Sequence, residues 1–534
     1  MKIALSSLNS KYLHPNVALR IFSSELGKAK IEHDLIEFTI KENFQKIVTR
    51  LSKYDIIAFS CYIYNIEIIK ELIYELKHQH NCLIILGGPE VSYLNKDELK
   101  KLEFDYLICN EGEQIFCNLL EAIINKKDYF HKSILKKDML NNFDLTCHYA
   151  DIKYVEKYAN NFQDIDFSNQ IVYLETSRGC PYHCAYCQAS LDNNVRNFSL
   201  EHVFSKLDES LIKKAKIVKL LDRTFNYDVK RTNEIINYII QNDNNYTVFQ
   251  FEITGELLAD SSIELINSNA RQGLFRFEIG VQSTNKKANQ AIRRYQDFTK
   301  LKTLINKLVS ANKVVLHLDL IAGLPHEDLV SFKNTFNEVY SLQAQEVQVG
   351  FLKLLKGTYL NELVGKYKYQ FATKAPYQII QNEFLSVSDL VIIDEMEHGF
   401  NNLYNKEKAK EISNYLINKY QIEPFDYYHT IGQKLIRTMQ IHDIYQIIYH
   451  SSYVQDDYDV IELFKNYYRI SKNKPQALTR VNDKKAILHQ LIASEGLVQN
   501  EVFNNSSIEK INENSYFVYI FNKGRYYILE KEER

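Results

Sequence analysis

The chain has no tryptophan, 7 prolines, 16 glycines and 4 methionines in 534 residues. Tracts rich in glycine or proline are absent, and no internal repeat or low-complexity segment is visible. No stretch reaches the roughly 18 consecutive apolar residues that a bilayer-spanning helix requires. The opening MKIALSSLNSKYLHPN lacks the basic start, apolar run and small-residue cleavage site of a secretory signal. A cytoplasmic chain without a membrane span is expected. Neither sign of charge dominates, since 65 Lys and Arg stand against 67 Asp and Glu for a formal charge of −2. With no local basic patch either, there is no nucleic-acid signature. Cysteine is missing from everything after Cys187. Cys61, Cys82, Cys109, Cys117, Cys147, Cys180, Cys184 and Cys187 all lie before that point, unlike a secreted disulfide framework, so reduced thiols are expected.

What is present is apolar and regularly patterned. A hydrophobic content of 45% over this length suffices for several packed cores. Residues 1–130 alternate short apolar runs (KIALSSL, HDLIEFT, IIAFSCY, CLIILGG, DYLICNE) with amphipathic helical stretches, the pattern of buried parallel strands with helical crossovers. The expectation is a doubly wound, flavodoxin-like parallel sheet. Ligands of such sheets sit outside the carboxyl ends of the strands, where Ser6, Ser7, Ser60, Cys61, Gly87, Gly88, Glu111 and Gly112 are predicted to line one crevice. Residues 131–168 lose the rhythm and read as a linker. From 169 to 395 the alternation resumes in IVYLETS, KIVKLLD, TVFQFEITG, LFRFEIGVQS, VVLHLDLIAG and EVQVGFLKL, which fit a partial (β/α)6 barrel. Functional groups of such folds collect at the C-terminal ends of the strands. Residues 396–534 read as mainly helical (KEKAKEISNYLINKY, FDYYHTIGQKLIRTMQ, HDIYQIIYH, VIELFKNYY), closing with a tyrosine-rich hairpin around NKG.

The segment ETSRGCPYHCAYCQAS, after the first strand of that second alternation, places Cys180, Cys184 and Cys187 in one loop. A zinc site with His183 or a distant fourth ligand is one reading. Structural zinc sites usually join two separated ligand pairs, and no partner pair follows here. Three thiolates on one loop can instead hold three corners of a [4Fe–4S] cube and leave one iron open to a small molecule.

With Tyr186 directly before its last cysteine, this triplet resembles the signature loop of the radical S-adenosylmethionine superfamily. The resemblance implies a [4Fe–4S] cluster on Cys180, Cys184 and Cys187 whose open iron chelates S-adenosylmethionine, and an external electron donor of flavodoxin or ferredoxin type. It extends to FEIT, which gives Glu252, to FEIGVQSTNKKANQAIRR, which gives Gln282 and Arg294, and to LDLIAGLP, which gives Asp319. By resemblance to the coproporphyrinogen-dehydrogenase group these residues, with Tyr186, contact S-adenosylmethionine. An arginine suits its carboxylate, and acidic side chains suit ribose hydroxyls or the sulfonium.

The N-terminal domain, with ILGGPEVSY and NEGEQIF after its last strands, is similar to the cobalamin-binding domain of cobalamin-dependent radical enzymes, which implies corrin contacts at Ser60, Cys61, Gly87, Gly88, Glu111 and Gly112. The D-x-H-x-x-G sequence that supplies a histidine to cobalt in many cobalamin proteins is absent, because His14 has neither the Asp nor the Gly. Residues after the barrel resemble an uncharacterised region found in one bacterial subset of these proteins. Methyl transfer to an unactivated carbon of a small-molecule or peptide substrate is the implied activity. The alternatives are a radical enzyme without a corrin (a cyclase, or a methylthiotransferase-like enzyme, for which Cys61 is a weak partial match) and a non-catalytic iron–sulfur or cobalamin sensor. The remaining cysteines read as small buried hydrophobes.

Overall fold

The computed structural model describes residues 1–140, 145–159, 162, 164–406, 410–435, 481, 484–510, 515–520 and 525–530. They fall into two compact units, Met1–Leu390 and Val391–Arg534.

The first unit begins with β1 (Ile3–Asn9), β2 (Asp34–Thr39), β3 (Ile56–Ser60), β4 (Leu83–Gly87), β5 (Tyr106–Ile108) and β6 (Ile134–Lys136). Their spatial order is β2-β1-β3-β4-β5-β6. The first five run parallel, and β6 pairs antiparallel with β5. Helices on both faces explain why β1 and β3 are buried along their whole length and read as continuous apolar runs. Successive side chains still alternate: Ile57 and Phe59 enter one core, Ile56 and Ala58 the other. The chain leaves β1 for β2 on one side and returns to β3 on the other, which opens a crevice outside the carboxyl ends of these strands. The helix Val17–Lys28 borders it, started by the Asn16 side chain accepting from the Leu19 amide.

The stretch read as a linker is built into this unit. Ile134 and Leu135, 5% and 2% exposed, complete the sheet and cover the edge that β5 would otherwise present. A short helix, Ile152–Glu156, is capped by Asp151 and buries Val155 completely. These elements are too brief, and too diluted by Lys and Asn, to leave a periodicity.

A second sheet has the order β14-β13-β12-β11-β10-β7. Its strands are β7 (Val172–Leu174), β10 (Ile217–Leu220), β11 (Val248–Ile253), β12 (Phe275–Gln282), β13 (Val315–Ala322) and β14 (Glu346–Phe351), all parallel. Between β7 and β10 lies an antiparallel ribbon of β8 (Ser177–Arg178) and β9 (Arg196–Asn197). Strict alternation governs β12: Phe275, Phe277, Ile279 and Val281 are buried, whereas Arg276, Glu278, Gly280 and Gln282 are half-buried. The first set packs under the helices; the second lines the concave face of the partial barrel. After β14 a small ribbon of β15 (Gln370–Phe371) and β16 (Ile379–Gln381) follows.

In the second unit, helices Lys410–Tyr420, Pro424–Gly432 and Lys484–Glu495 accompany a sheet of β17 (Ser506–Lys510), β18 (Ser515–Ile520) and β19 (Arg525–Glu530). The tyrosine-rich hairpin strands are β18 and β19, with Tyr519 opposite Tyr526. Val518 and Ile520 share a core with Leu488 and Leu491. The helical readings of 442–450 and 460–468 lie outside the described residues. Among the described residues no helix is long and apolar enough to cross a membrane.

Candidate functional site

The cysteine loop is an excursion from the β8/β9 ribbon. Gly179 opens it at φ +89°, and a Cβ there would lie 2.3 Å from the Asn194 carbonyl oxygen, so only glycine fits. The Cys180 amide donates to the Asp192 carbonyl at 2.9 Å, and the Cys187 amide to that of Cys184 at 3.1 Å. Distant segments hold the middle. The Ala185 amide donates to the Ile292 carbonyl at 2.8 Å, the Leu360 amide donates to the Ala185 carbonyl at 2.8 Å, and Gln188 Nε2 donates to the Lys356 carbonyl at 3.1 Å. At the loop's base the buried Asp222 carboxylate accepts from the Thr176 amide and from the Thr176 and Ser177 hydroxyls. The loop is therefore a fixed scaffold for its side chains.

Cys180 and Cys184 are each 8% exposed, and Cys187 is half-buried. Burial pushes the Cys184 and Cys187 thiols up; Arg294, with Nη1 4.0 Å from Cys184 Sγ, and Arg223, facing Cys187, oppose it. His183 is exposed. Among the described residues no three His, Cys, Asp or Glu side chains converge on the shell of one metal ion, which for zinc would hold thiolates ~4 Å apart. Three soft thiols on one buried loop, faced by guanidinium groups, suit a multi-iron cluster whose thiolates each take a different iron.

Beside this loop ends β12. Its register breaks between Gly280 and Gln282, and Gln282 sits at φ 64°. A Cβ on Gly280 would be 2.3 Å from Gln282 Nε2 and 3.5 Å from Arg294 Nη2, so the glycine makes room for both side chains. Arg294 donates to the Gly280 carbonyl and, from Nε, to Gln296 Oε1 at 3.1 Å. Gln282 Oε1 is buried without a partner, an acceptor waiting for a donor. Tyr186 and Cys184 raise the pKa of the Arg294 guanidinium against the effect of its burial. The structure thus gathers Tyr186, Gln282 and Arg294 at the cysteines. Glu252 and Asp319 lie deeper. Glu252 is level with Glu278, four residues before Gln282, and its Oε1 is 3.4 Å from Lys219 Nζ; burial raises its pKa, with Arg223 and Lys219 working against that. Asp319 is level with Gly280 and lies 3.2 Å from His317 Nε2.

Sequence reasoning missed the polar network on the concave face. Lys219 Nζ contacts Glu278 Oε2 at 2.8 Å, Gln250 donates to Glu278, Arg276 pairs with Glu346, and His317 Nδ1 lies 3.6 Å from Glu346. The signal was there in the alternate positions of FRFEIGVQ and VLHLDLIA, of which only Gln282 and Asp319 were singled out.

A cavity of about 450 Å³ joins the two sheets. From the N-terminal sheet Ser60, Gly87, Gly88, Glu111 and Gly112 line it; from the barrel come Ser177, Arg178, Gln188, Ala189 and Arg223. A Cβ on Gly87 would meet nothing nearer than 4.0 Å, and Gly88, at φ +106°, has the Cys61 backbone oxygen 2.6 Å from where its Cβ would be. Gly87 thus leaves open space at the cavity, whereas Gly88 is required by its close approach to the Cys61 backbone. Three expected rim residues are elsewhere. Cys61 is 0% exposed, its thiol turned toward the Phe59 carbonyl at 3.8 Å, so it contributes only backbone beneath Gly88. Ser6 and Ser7 are likewise fully buried, Ser7 accepting from Asn16 Nδ2 at 3.2 Å. Ser6 and Ser7 are successive residues in the middle of β1, on opposite faces that helices cover, and Cys61 joins Ile57 and Phe59 in the core beneath one of them.

Glu111 reaches the cavity wall fully engaged. Its carboxylate pairs with Arg196 Nη2 at 2.6 Å and Arg178 Nη1 at 3.2 Å and accepts from the Ala150 amide at 2.7 Å, which together hold its pKa below the usual carboxylate range despite burial. Arg178 also bonds Glu113 and Glu175, each at 2.8 Å. Glu111 is thus a clamp between the sheets. No histidine is among the described residues lining the cavity, and His14 is bonded to the Tyr173 hydroxyl at 2.6 Å.

Family models match three parts of the chain: a B12 binding domain over residues 5–120, the Radical SAM superfamily over 174–339, and a protein of unknown function (DUF4080) over 365–523. An uncharacterized methyltransferase, PH0819, of Pyrococcus horikoshii is 26% identical over 177 residues, covering 29% of this chain and 36% of that protein. The anaerobic magnesium-protoporphyrin IX monomethyl ester cyclase of a Synechocystis species is 23% identical over 239 residues, covering 40% of this chain and 44% of the cyclase. The chain therefore spans less than half the length of either curated relative. A solved cobalamin-dependent S-adenosylmethionine radical enzyme, OxsB, with aqua-cobalamin and S-adenosylmethionine bound, superposes with a TM-score of 0.58 at 15% identity, over 92% of this chain and 79% of that one. At that identity the likeness concerns the fold. Domains of these kinds use a [4Fe–4S] cluster with S-adenosylmethionine, and cobalamin.

Proposed function

Since the chain is a radical SAM superfamily protein that also carries a B12-binding domain, we propose that it is a cobalamin-dependent radical S-adenosylmethionine enzyme that methylates an unactivated carbon. The observation that carries this reading is the shared cavity, in which Gly87 and Gly88 of the N-terminal sheet face Gln188 and Ala189, the residues directly after Cys187. When bound, the cluster supplies the electron that splits S-adenosylmethionine to a 5′-deoxyadenosyl radical, and methylcobalamin supplies the methyl group.

Cys180, Cys184 and Cys187 are the ligands in this reading. Arg294 and the orphaned Gln282 Oε1 hold the carboxylate and amino groups of S-adenosylmethionine, the first by a charge-assisted bond and the second as an acceptor. Tyr186 packs beside them, while Glu252 and Asp319 serve ribose hydroxyls or the sulfonium. Ser60, Gly87, Gly88 and Gly112 form the corrin wall, with Glu111 fixing the loop between them. The substrate enters along the polar concave face, where burial keeps water from the reacting carbon. A flavodoxin- or ferredoxin-type protein delivers the electron.

Anaerobic reconstitution of the whole chain with iron and sulfide, then assay of 5′-deoxyadenosine with and without hydroxocobalamin, tests the reading. Cleavage is expected in the parent and background levels in Cys184→Ala, with cobalamin binding retained by the variant. Cleavage by Cys184→Ala, or zinc in the reconstituted parent, overturns the assignment. The methyl outcome is tested separately, by label from methyl-labelled S-adenosylmethionine in a carbon-bound product.

A further inference from the structure

Cys109 and Cys147 take no part in the chemistry above, and their placement is not that of two isolated buried hydrophobes. Cys109 directly follows β5, and Cys147 lies in the connector between the two sheets. The His148 amide donates to the Cys109 carbonyl at 3.1 Å, and the Glu111 amide to the His148 carbonyl at 3.2 Å. Asn110 and His148 therefore pair as neighbours in a parallel bridge, which sets Cys109 opposite Cys147. Partners across such a bridge have Cα atoms ~5 Å apart, inside the window of about 4.4–6.8 Å that a disulfide spans without moving the backbone. The side chains lie on the same face: the two Sγ atoms are 2.9 Å apart.

We propose that Cys109 and Cys147 are a redox-active dithiol that closes to a disulfide beside the cavity. Cys147 is half-buried and can be reached from solvent, whereas Cys109 is 1% exposed, so the roles are unequal. Cys147 is the attacking sulfur. The hydrogen bond it shares with the Cys109 thiol lowers its pKa against the effect of burial, and Tyr93 adds a second hydrogen bond. The same interaction, with burial, pushes the Cys109 thiol up and keeps it protonated until it is needed.

The oxidant required is a low-molecular-weight disulfide. The Cys147 thiolate attacks one of its sulfurs, forming a mixed disulfide and releasing one thiolate. Cys109 then gives up its proton to solvent and its sulfur displaces the second thiolate from Cys147. Two protein thiols become one protein disulfide, and the small disulfide takes up two electrons and two protons as two thiols. The site differs from the cysteine loop in position and in chemistry. Its consequence is local: Asn110, next to Cys109, and Tyr93, beside Cys147, both line the cavity, so the new bond would tie the connector to the cavity wall.

The test uses the whole chain, reduced and handled without oxygen, exposed to excess 2-hydroxyethyl disulfide, then unfolded in alkylating reagent, digested and mapped by mass spectrometry. A peptide pair linked through Cys109 and Cys147 is expected, with Cys61, Cys82 and Cys117 still alkylated. Cys109→Ser should stop at a stable mixed disulfide on Cys147, and Cys147→Ser should leave Cys109 fully alkylated. The proposal is overturned by full alkylation of both residues in the treated parent, by a mixed disulfide on Cys147 that persists there, or by Cys109 linked to any other cysteine. The parent map decides the matter even if a variant fails to fold.

Discussion

Gly88 and Gly280 are both required to be small, but their neighbours differ. At Gly88 a side chain would strike the backbone of Cys61, which cannot yield; at Gly280 it would strike the end of Gln282, which can turn away. Gly280→Ala should therefore fold normally, within about 1 kcal/mol of the parent, yet displace Gln282 and crowd Arg294. Equilibrium dialysis should show S-adenosylmethionine binding weakened about tenfold, equivalent to ~1.4 kcal/mol; unchanged affinity would remove Gln282 from the site. How far single residues could be read beforehand followed the range of their interactions. Cys180, Cys184 and Cys187 belong to one continuous loop and were legible from their spacing, whereas the need for Gly179 came only with the close approach of Asn194. Glu111 was placed at the cavity correctly, but its partner Arg196 stands 85 positions away, and nothing local indicated the clamp. Cys61 was lost to the parity of a strand, where one position decides between cavity and core.

Between elements, one buried acid joins the loop after β12 to the helix Leu329–Ser341. Glu327, fully buried, accepts from the Ser283 and Thr335 hydroxyls, and burial raises its pKa from 4.5 to about 7. Between those values the folded protein holds a proton that the unfolded chain releases. The resulting stabilisation is complete below pH 4.5 and is lost as pH rises through 7, a change of about 3 kcal/mol. Glu327→Gln keeps the hydrogen bonds without the charge. It should match the parent near pH 5 and exceed it by ~2 kcal/mol at pH 8 in urea unfolding; parallel pH dependences for the two proteins would show that the carboxyl titrates normally. Elements were legible where apolar runs were long enough to show a period, as in β3, β4 and β12. They were not where one or two apolar residues carried the structure, as in β6 (ILK) and β17 (SSIEK), whose strand character comes from the partner they complete.

Over the first unit as a whole, one of the links between the two sheets is a buried cluster of charges. Arg178 and Arg196 meet Glu111 in a setting where all three side chains are at most 16% exposed. Without Glu111, Arg178 keeps Glu113 and Glu175 and Arg196 keeps Asp192, so the cost falls below the about 3–5 kcal/mol of breaking an isolated buried pair. Glu111→Ala should lower the melting temperature by several degrees and loosen hydroxocobalamin binding together; a fall in neither would mean that the sheets stay joined by other contacts. The grip of Leu360 and Lys356 on Ala185 and Gln188 has a bearing on biosynthesis. The Lys356 contact is separated from Gln188 by 168 positions, so a ribosome has emptied its tunnel of the thiols long before the segment that fastens them is made. The loop that carries the thiols is thereby fastened only once a segment made well after them has joined the fold.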